Sequence, residues 1–231
     1  MNHVTPLRHG FVFLRAIDPS VMEEIRYAGY HNFAGHPLPG YHSARCVMSR
    51  AAAEALSKAQ CAAAKRGLSL KVYDAYRPQK AVDFIIRWCN DPTDLIMKDE
   101  FYPRLEKSRI IPDGYLSPKS SHSRGSTVDV TLVPVPPPAQ AGYKPGDKLV
   151  DATLPKGARF DDNSIEMGTG YDAFDPKAHT FSAGVTGQAR ENRLMLKQMM
   201  EEAGFEPYEQ EWWHFTLRDE PFKESFDFDI E

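Results

Sequence analysis

The chain has 231 residues, 42% of them hydrophobic and 11% aromatic, with a formal net charge of -4 and a pI near 6.1, which fits one large globular domain and excludes binding to nucleic acid through bulk positive charge. No apolar run reaches the ~20 residues that a membrane-spanning helix needs, and the N-terminal MNHVTPLRHGFVFLRAIDPS lacks the uninterrupted apolar core of a secretion signal. Cys46, Cys61 and Cys89 form no C-x-x-C pair, so the expected compartment is the cytoplasm, or the periplasm if a leader has been removed.

In chain order, SRAAAEALSKAQCAAAKR from Ser49 to Arg66 predicts a helix. Ser49 is its cap, Ala52, Ala55, Leu56, Ala59 and Ala63 form its apolar face, and Gly67 is its stop. Leu68, Leu70 and Val72 alternate in LSLKVYDAY, as in a half-buried strand. It ends at Tyr76-Arg77-Pro78, where Pro78 can open a second helix with Ala81, Val82, Ile85, Ile86 and Cys89 on one face. TVDVTLV, 127 to 133, predicts another strand. The stretch from 133 to 166 is rich in proline and glycine and reads as a long loop: a lid, an oligomer contact or a tolerated surface excursion. Thr186 to Ala203 returns to helical spacing with Leu194, Leu196, Met199 and Met200 on its apolar face, and FEPYEQEWWHFTL predicts two aromatic strand segments. No repeat or linker interrupts the chain. The expected class is α+β, a single domain with a central, mainly antiparallel sheet flanked by helices.

Three stretches carry groups capable of chemistry. SSHSRGSTVDV, 120 to 130, offers His122 and Asp129. Seven extended residues would part these side chains by ~23 Å, but a turn at Gly125 can fold His122 back over the start of the strand. EWWHF offers Glu211 and His214, and YDAYRP offers Asp74 and Arg77. Taken singly, each also fits a plain structural role: a hydrogen-bonded histidine at a turn, tryptophan packing, an ion pair at a strand end.

Together, His122, Asp129 and His214 supply the three His and carboxylate ligands of a hydrolytic zinc site, which keeps its fourth position for water. A structural zinc would be closed by four ligands and would normally use cysteine, and no cysteine lies near these motifs. Water that attacks a carbonyl at such a site needs a base, for which Glu211 is the candidate. On a regular strand residues three apart point to opposite faces, so Glu211 and His214 share a site only if the strand begins or bulges near Trp212; that irregularity is predicted. Arg77, held at a strand-to-helix junction, is the candidate partner for the developing oxyanion.

S-x-H-x-x-G-x-x-x-D in Ser120, His122, Gly125 and Asp129, E-x-x-H in Glu211 and His214, and Tyr-Arg-Pro at 76 to 78 together resemble the zinc D-alanyl-D-alanine dipeptidases of the vancomycin-resistance type. The likeness runs from YAGYHNFAGHPLPGY through KSSHSRGS to EWWHFTLRDEP. The resemblance implies a small α+β fold with a central antiparallel sheet and hydrolysis of the dipeptide D-Ala-D-Ala to two D-alanines. It places one zinc ion per chain on His122, Asp129 and His214, the base on Glu211 and the transition-state arginine on Arg77. It also implies a carboxylate for the substrate ammonium after a Met-Gly-x-x-aromatic sequence, which puts that role on Asp172 in MGTGYD. Ser120, Tyr27 and Tyr41 fall on substrate-contacting positions, with Asp74 beside Arg77.

A carboxylate fixed at the end of a small pocket would select a free amino terminus, because a buried charge without a partner costs several kcal/mol. The connection from Val133 to Glu166 is longer than is usual in the group, so Glu166 and Asp175 stay open as alternatives to Asp172. A D,D-carboxypeptidase or peptidoglycan endopeptidase with a similar site, and a non-catalytic module that binds cell-wall peptides, are the other readings; Glu211 speaks against the last, which needs no base. Oligomeric state and biological purpose are not legible, and His3, His9, His31, His36, His42 and His179 have no motif context.

Overall fold

In the computed structural model, which describes residues 7 to 140 and 142 to 231, β1 (Phe11–Phe13) is followed by β2 (Met22–Glu23) and β3 (Val47–Ser49). His3 and the first six residues of the segment read for a leader lie outside the described residues. β1 and β3 pair antiparallel as a small separate sheet. α1 (Arg50–Ala64) begins where Ser49 Oγ accepts a hydrogen bond from the Ala52 N–H at 3.3 Å, satisfying one of the donors that a helix start leaves without a partner. Its expected apolar face is buried, and Gly67, at φ +71°, turns the chain into β4 (Leu68–Asp74).

β4 is not the half-buried strand that its alternation suggests. Every residue from Ser69 to Asp74 is buried, because α1 packs on it and the far limb of the 133–166 segment covers its polar side chains. Lys71 Nζ donates to the Asp162 carbonyl, to Asn163 Oδ1 at 3.0 Å and to Glu24 Oε2 at 2.6 Å, and the Tyr73 hydroxyl is bonded to the Asp162 carboxylate. A buried ammonium persists only with such partners. The proline-rich segment is therefore anchored at its far limb rather than being a free excursion.

α2 (Gln79–Cys89) starts one residue later than expected, with Pro78 at its N-cap, and Trp88 joins its buried face while Ile86 is half-buried. α3 (Lys98–Phe101) is a single turn that precedes β5 (Thr127–Pro134). In α4 (Gly187–Glu202) the face differs from the expectation at one position. Leu194 is 37% exposed, whereas Arg193 is buried with its guanidinium donating to the Met167, Lys177 and His179 carbonyls. β6 (Phe205–Pro207) and β7 (His214–Leu217) close the chain's aromatic end as two antiparallel strands.

The main sheet runs β2-β4-β5-β7-β6, with β2 parallel to β4 and every other pair antiparallel. The result is an α+β domain with a central, mainly antiparallel sheet flanked by helices. Among the described residues no helix is long and apolar enough to cross a membrane, and the three cysteines are free.

Candidate metal centre

Three neighbouring strands bring one row of side chains together. Asp129 of β5 lies opposite His214 of β7 and opposite Asp74 of β4. Directly opposed residues of an antiparallel pair share a face. The Asp74 pairing depends on an irregularity in β4, because the register shifts between Val72 and Asp74 and leaves Tyr73 unpaired in that ladder. A bulge of this kind re-aims a side chain at the cost of one ladder position.

His122 reaches the row through a tight turn. Residues 121 to 124 form a single 3-10 turn, Ser120 Oγ accepts from the His122 N–H at 3.3 Å, and Gly125 closes the turn at φ +80° with its N–H on the His122 carbonyl at 2.9 Å. A Cβ at Gly125 would lie 2.2 Å from the Phe11 ring, so both the backbone angle and the space require glycine. This turn answers the seven-residue spacing of His122 and Asp129. The Glu211 spacing is answered by the strand's start: β7 begins at His214, and the His214 N–H bonds back to the Glu211 carbonyl at 3.2 Å. Glu211 thus sits in a turn, free of the strand's alternation, with Oε2 3.3 Å from His214 Nδ1.

The donor atoms converge. Asp129 Oδ1 is 3.4 Å from His122 Nε2 and 3.3 Å from His214 Nδ1, and the three groups offer ligand atoms within 4.8 Å of one another. Two donors at ordinary zinc distances from a tetrahedral ion stand about 3.3–3.4 Å apart. His122 Nε2 and Asp129 Oδ1 are buried and have no hydrogen-bond partner, although buried polar atoms are nearly always paired. His122 Nδ1 faces the Ala75 carbonyl at 2.7 Å, which makes Nδ1 the protonated nitrogen and directs the lone pair of Nε2 into the cluster. Ser121 Oγ, 3.4 Å from His214 Nε2, leaves Nδ1 as that ring's inward atom. These residues fit a metal ion by donor type, spacing and orphaned atoms alike.

The electrostatics ask for positive charge at the same point. Burial alone would raise the Asp129 carboxyl, but the adjacent His122 and His214 rings outweigh it and hold that carboxyl far below the usual range. Burial alone would lower His214, yet Asp129 and Glu211 raise it to about 9. Arg77 is fixed beside them: its backbone N–H donates to the His122 carbonyl at 3.3 Å, its Nε to Asp74 Oδ2 at 2.9 Å, and its guanidinium lies 4.8 Å from the Tyr27 ring centre.

A cavity of about 280 Å³ opens onto this cluster, lined by His122, Asp129, His214, Glu211, Arg77 and Asp172 together with Tyr27 and Ser120. Asp172 adopts φ 56° and accepts from the Tyr27 hydroxyl at 2.9 Å. Burial first, then the charges of Asp129 and Glu211, push its carboxyl well above the usual carboxylate range. The two alternatives to it lie elsewhere: Glu166 pairs with Arg159 at 2.9 Å and Asp175 with Arg104 at 2.9 Å, and neither lines the cavity. Tyr41 and Asp74 also line no part of it. They stand one layer behind, where the Tyr41 hydroxyl donates to Asp74 Oδ1 at 2.6 Å. Sequence reasoning did not single out Tyr115, Lys119, Arg124 and Tyr208, which complete the wall and mouth; only Lys119 and Arg124 carry a local signal, their place within the His122 motif. The other described histidines are not part of the cluster, with His31 against Glu100 at 2.8 Å and His42 against Asp229 at 3.2 Å.

Known proteins similar to this chain point to one family. A family profile, Peptidase_M15 (D-ala-D-ala dipeptidase), matches residues 8–135 and 148–230. The chain is similar to a D-alanyl-D-alanine dipeptidase of Enterococcus faecalis, 35% identical over 220 residues that cover 95% of this chain and 97% of that protein. One of Enterococcus faecium is 36% identical over 222 residues, 96% and 98% of the two chains. One of Escherichia coli is 30% identical over 206 residues, 89% and 83% of the two.

Proposed function

The chain belongs to the Peptidase_M15 family of D-ala-D-ala dipeptidases, and from that premise we propose that it hydrolyses D-Ala-D-Ala to two D-alanines with one zinc ion held by His122, Asp129 and His214. The observation that carries this reading is the pair of orphaned atoms, His122 Nε2 and Asp129 Oδ1, buried at the floor of a cavity that Glu211, Arg77 and Asp172 also line. Zinc there supplies Lewis acidity, polarising the scissile carbonyl and making water acidic enough to lose a proton near neutral pH.

The protein's own groups do the rest. Glu211 accepts the proton of the attacking water and delivers it to the leaving amine nitrogen, so that the C–N bond breaks to a neutral amine. Arg77, with Nε tied to Asp74, turns its remaining donors to the oxygen on which negative charge develops, and needs no reorganisation to do so. Tyr41 acts through Asp74, holding the carboxylate that holds Arg77.

Asp172 and Tyr27 bind the substrate ammonium. An N-acylated peptide brings no charge to a buried carboxylate and adds bulk to a cavity of about 280 Å³, which lies at the small end of the range for ligand pockets. This supports a dipeptidase over a carboxypeptidase acting on longer stems. The test is release of D-alanine from D-Ala-D-Ala against N-acetyl-D-Ala-D-Ala. The reading requires at least ~10²-fold preference for the free dipeptide, the loss expected when a buried ion pair is broken; equal rates would assign the site to a carboxypeptidase.

A further inference from the structure

Tyr171 lines no part of the cavity, yet its hydroxyl donates a 2.9 Å hydrogen bond to Asp129 Oδ2. We propose that Tyr171 is a positioning residue for the metal: by occupying Oδ2 it presents Oδ1 alone to the ion and fixes Asp129 as a one-oxygen ligand. This inference rests on the reading of His122, Asp129 and His214 as metal ligands.

The two oxygens of Asp129 stand in different surroundings. Oδ1 faces both histidines at 3.3 and 3.4 Å and has no hydrogen-bond partner. Oδ2 takes the Tyr171 hydroxyl, with Arg77 Nη2 next to it at 3.8 Å, beyond hydrogen-bond reach. A carboxylate with two equivalent free oxygens can rotate or chelate through both; a strong donor on one of them breaks that symmetry.

The hydroxyl cannot drift, because its ring is clamped. Tyr171 stacks on Tyr73 with ring centres 4.3 Å apart and 14° between planes, and meets the edge of Trp213 at 5.4 Å and 76°. Tyr73 is itself bonded to Asp162, which Ser164 Oγ holds at 2.6 Å and Arg26 faces at 3.7 Å. The long 133–166 segment thus reaches the metal ligand through two stacked tyrosines. Its other acceptor is the weaker one: the Tyr27 hydroxyl, which sends its own proton to Asp172, lies 3.4 Å away, against 2.9 Å for the charged Asp129 oxygen.

Tyr171→Phe keeps the ring and the stack and removes only the hydroxyl. On the full chain, zinc affinity is measured by competition with a chromophoric chelator, and the ligand field by the visible spectrum after cobalt substitution. Losing such a supporting hydrogen bond should weaken zinc by roughly 10–100-fold and alter the cobalt bands, while Tyr102→Phe, which removes a buried tyrosine hydroxyl that lines no part of the cavity, leaves affinity within about twofold on the same scale. Tyr171→Phe binding zinc as tightly as wild type, or both variants weakening it equally, would overturn the inference. A wild-type chain that takes up no zinc would overturn the metal reading and this inference with it.

Discussion

At Asp172 the proposed binding of substrate and stability pull in opposite directions. Its carboxyl is buried close to Asp129 and Glu211 and is raised well above its ordinary value. A carboxyl whose folded pKa is raised adds stability that is fully present below the unfolded pKa and is lost as pH rises through the folded one. Asp172→Asn therefore should raise the melting temperature at pH 8, by about 2–4 °C for each kcal/mol gained in a chain of this size, with the gain vanishing toward pH 4. Asparagine also tolerates the positive φ at this position. The same variant should raise KM for D-Ala-D-Ala at least ~10²-fold; scanning calorimetry at the two pH values and steady-state kinetics read the two effects. A second expectation concerns His214, raised to about 9 in the metal-free protein by Asp129 and Glu211 after burial has lowered it. Zinc must displace that proton below pH 9, so apparent affinity should climb about tenfold per unit between pH 7 and 8.5, as measured by chelator competition. These residue types were legible because their chemistry forces them: two histidines, an aspartate and a glutamate at fixed spacings. Tyr171 was not, since its hydroxyl serves Asp129, 42 positions away in the chain, and nothing in MGTGYD distinguishes a supporting tyrosine from a packed one.

At the scale of elements, two irregularities build the site, and only one was expected from the sequence. The start of β7 at His214 was foreseeable, because Glu211 and His214 could not otherwise meet. The register shift in β4 that sets Asp74 opposite Asp129 was less legible, because the alternation of LSLKVYD breaks only at its last two residues, Tyr73 and Asp74, where a strand end explains it equally well. The burial of Lys71 was hidden for a related reason: its cover comes from Asp162 and Asn163, some ninety residues on. The turn before β5 gives the sharpest test at this scale. Gly125→Ala puts a Cβ 2.2 Å from the Phe11 ring at φ +80°, and positive φ together with overpacking should cost about 2–4 kcal/mol. Urea denaturation should show that loss, and zinc affinity should fall with it because His122 sits on the same turn. Unchanged stability would mean that the turn relaxes without moving its histidine.

Across the whole molecule, both limbs of the 133–166 segment meet the buried Lys71, Gln140 Oε1 of the near limb at 3.3 Å beside Asp162 and Asn163 of the far one. The family match passes over residues 136 to 147, whereas the far limb carries Asp162 and Asn163 onto Lys71 and Tyr73. No described residue from 133 to 166 lines the cavity, so a lid is not what this arrangement supports. Replacing residues 137–146 with a short glycine-serine linker should leave kcat/KM for D-Ala-D-Ala within about threefold, since loop length itself has a shallow energetic cost. Lys71→Met, by contrast, leaves Glu24 and Asp162 with Arg26 as their remaining cation and should cost about 1–3 kcal/mol, read from denaturant midpoints.

The proposed hydrolysis depends throughout on an ion held by His122, Asp129 and His214. The direct measurement is D-alanine release from D-Ala-D-Ala by protein stripped with a chelator and then titrated with zinc. Activity should disappear on stripping and return in full at one equivalent of zinc per chain, with His122→Ala showing no return at that ratio. Hydrolysis that continues undiminished in the stripped protein, or that His122→Ala recovers as wild type does, would contradict it.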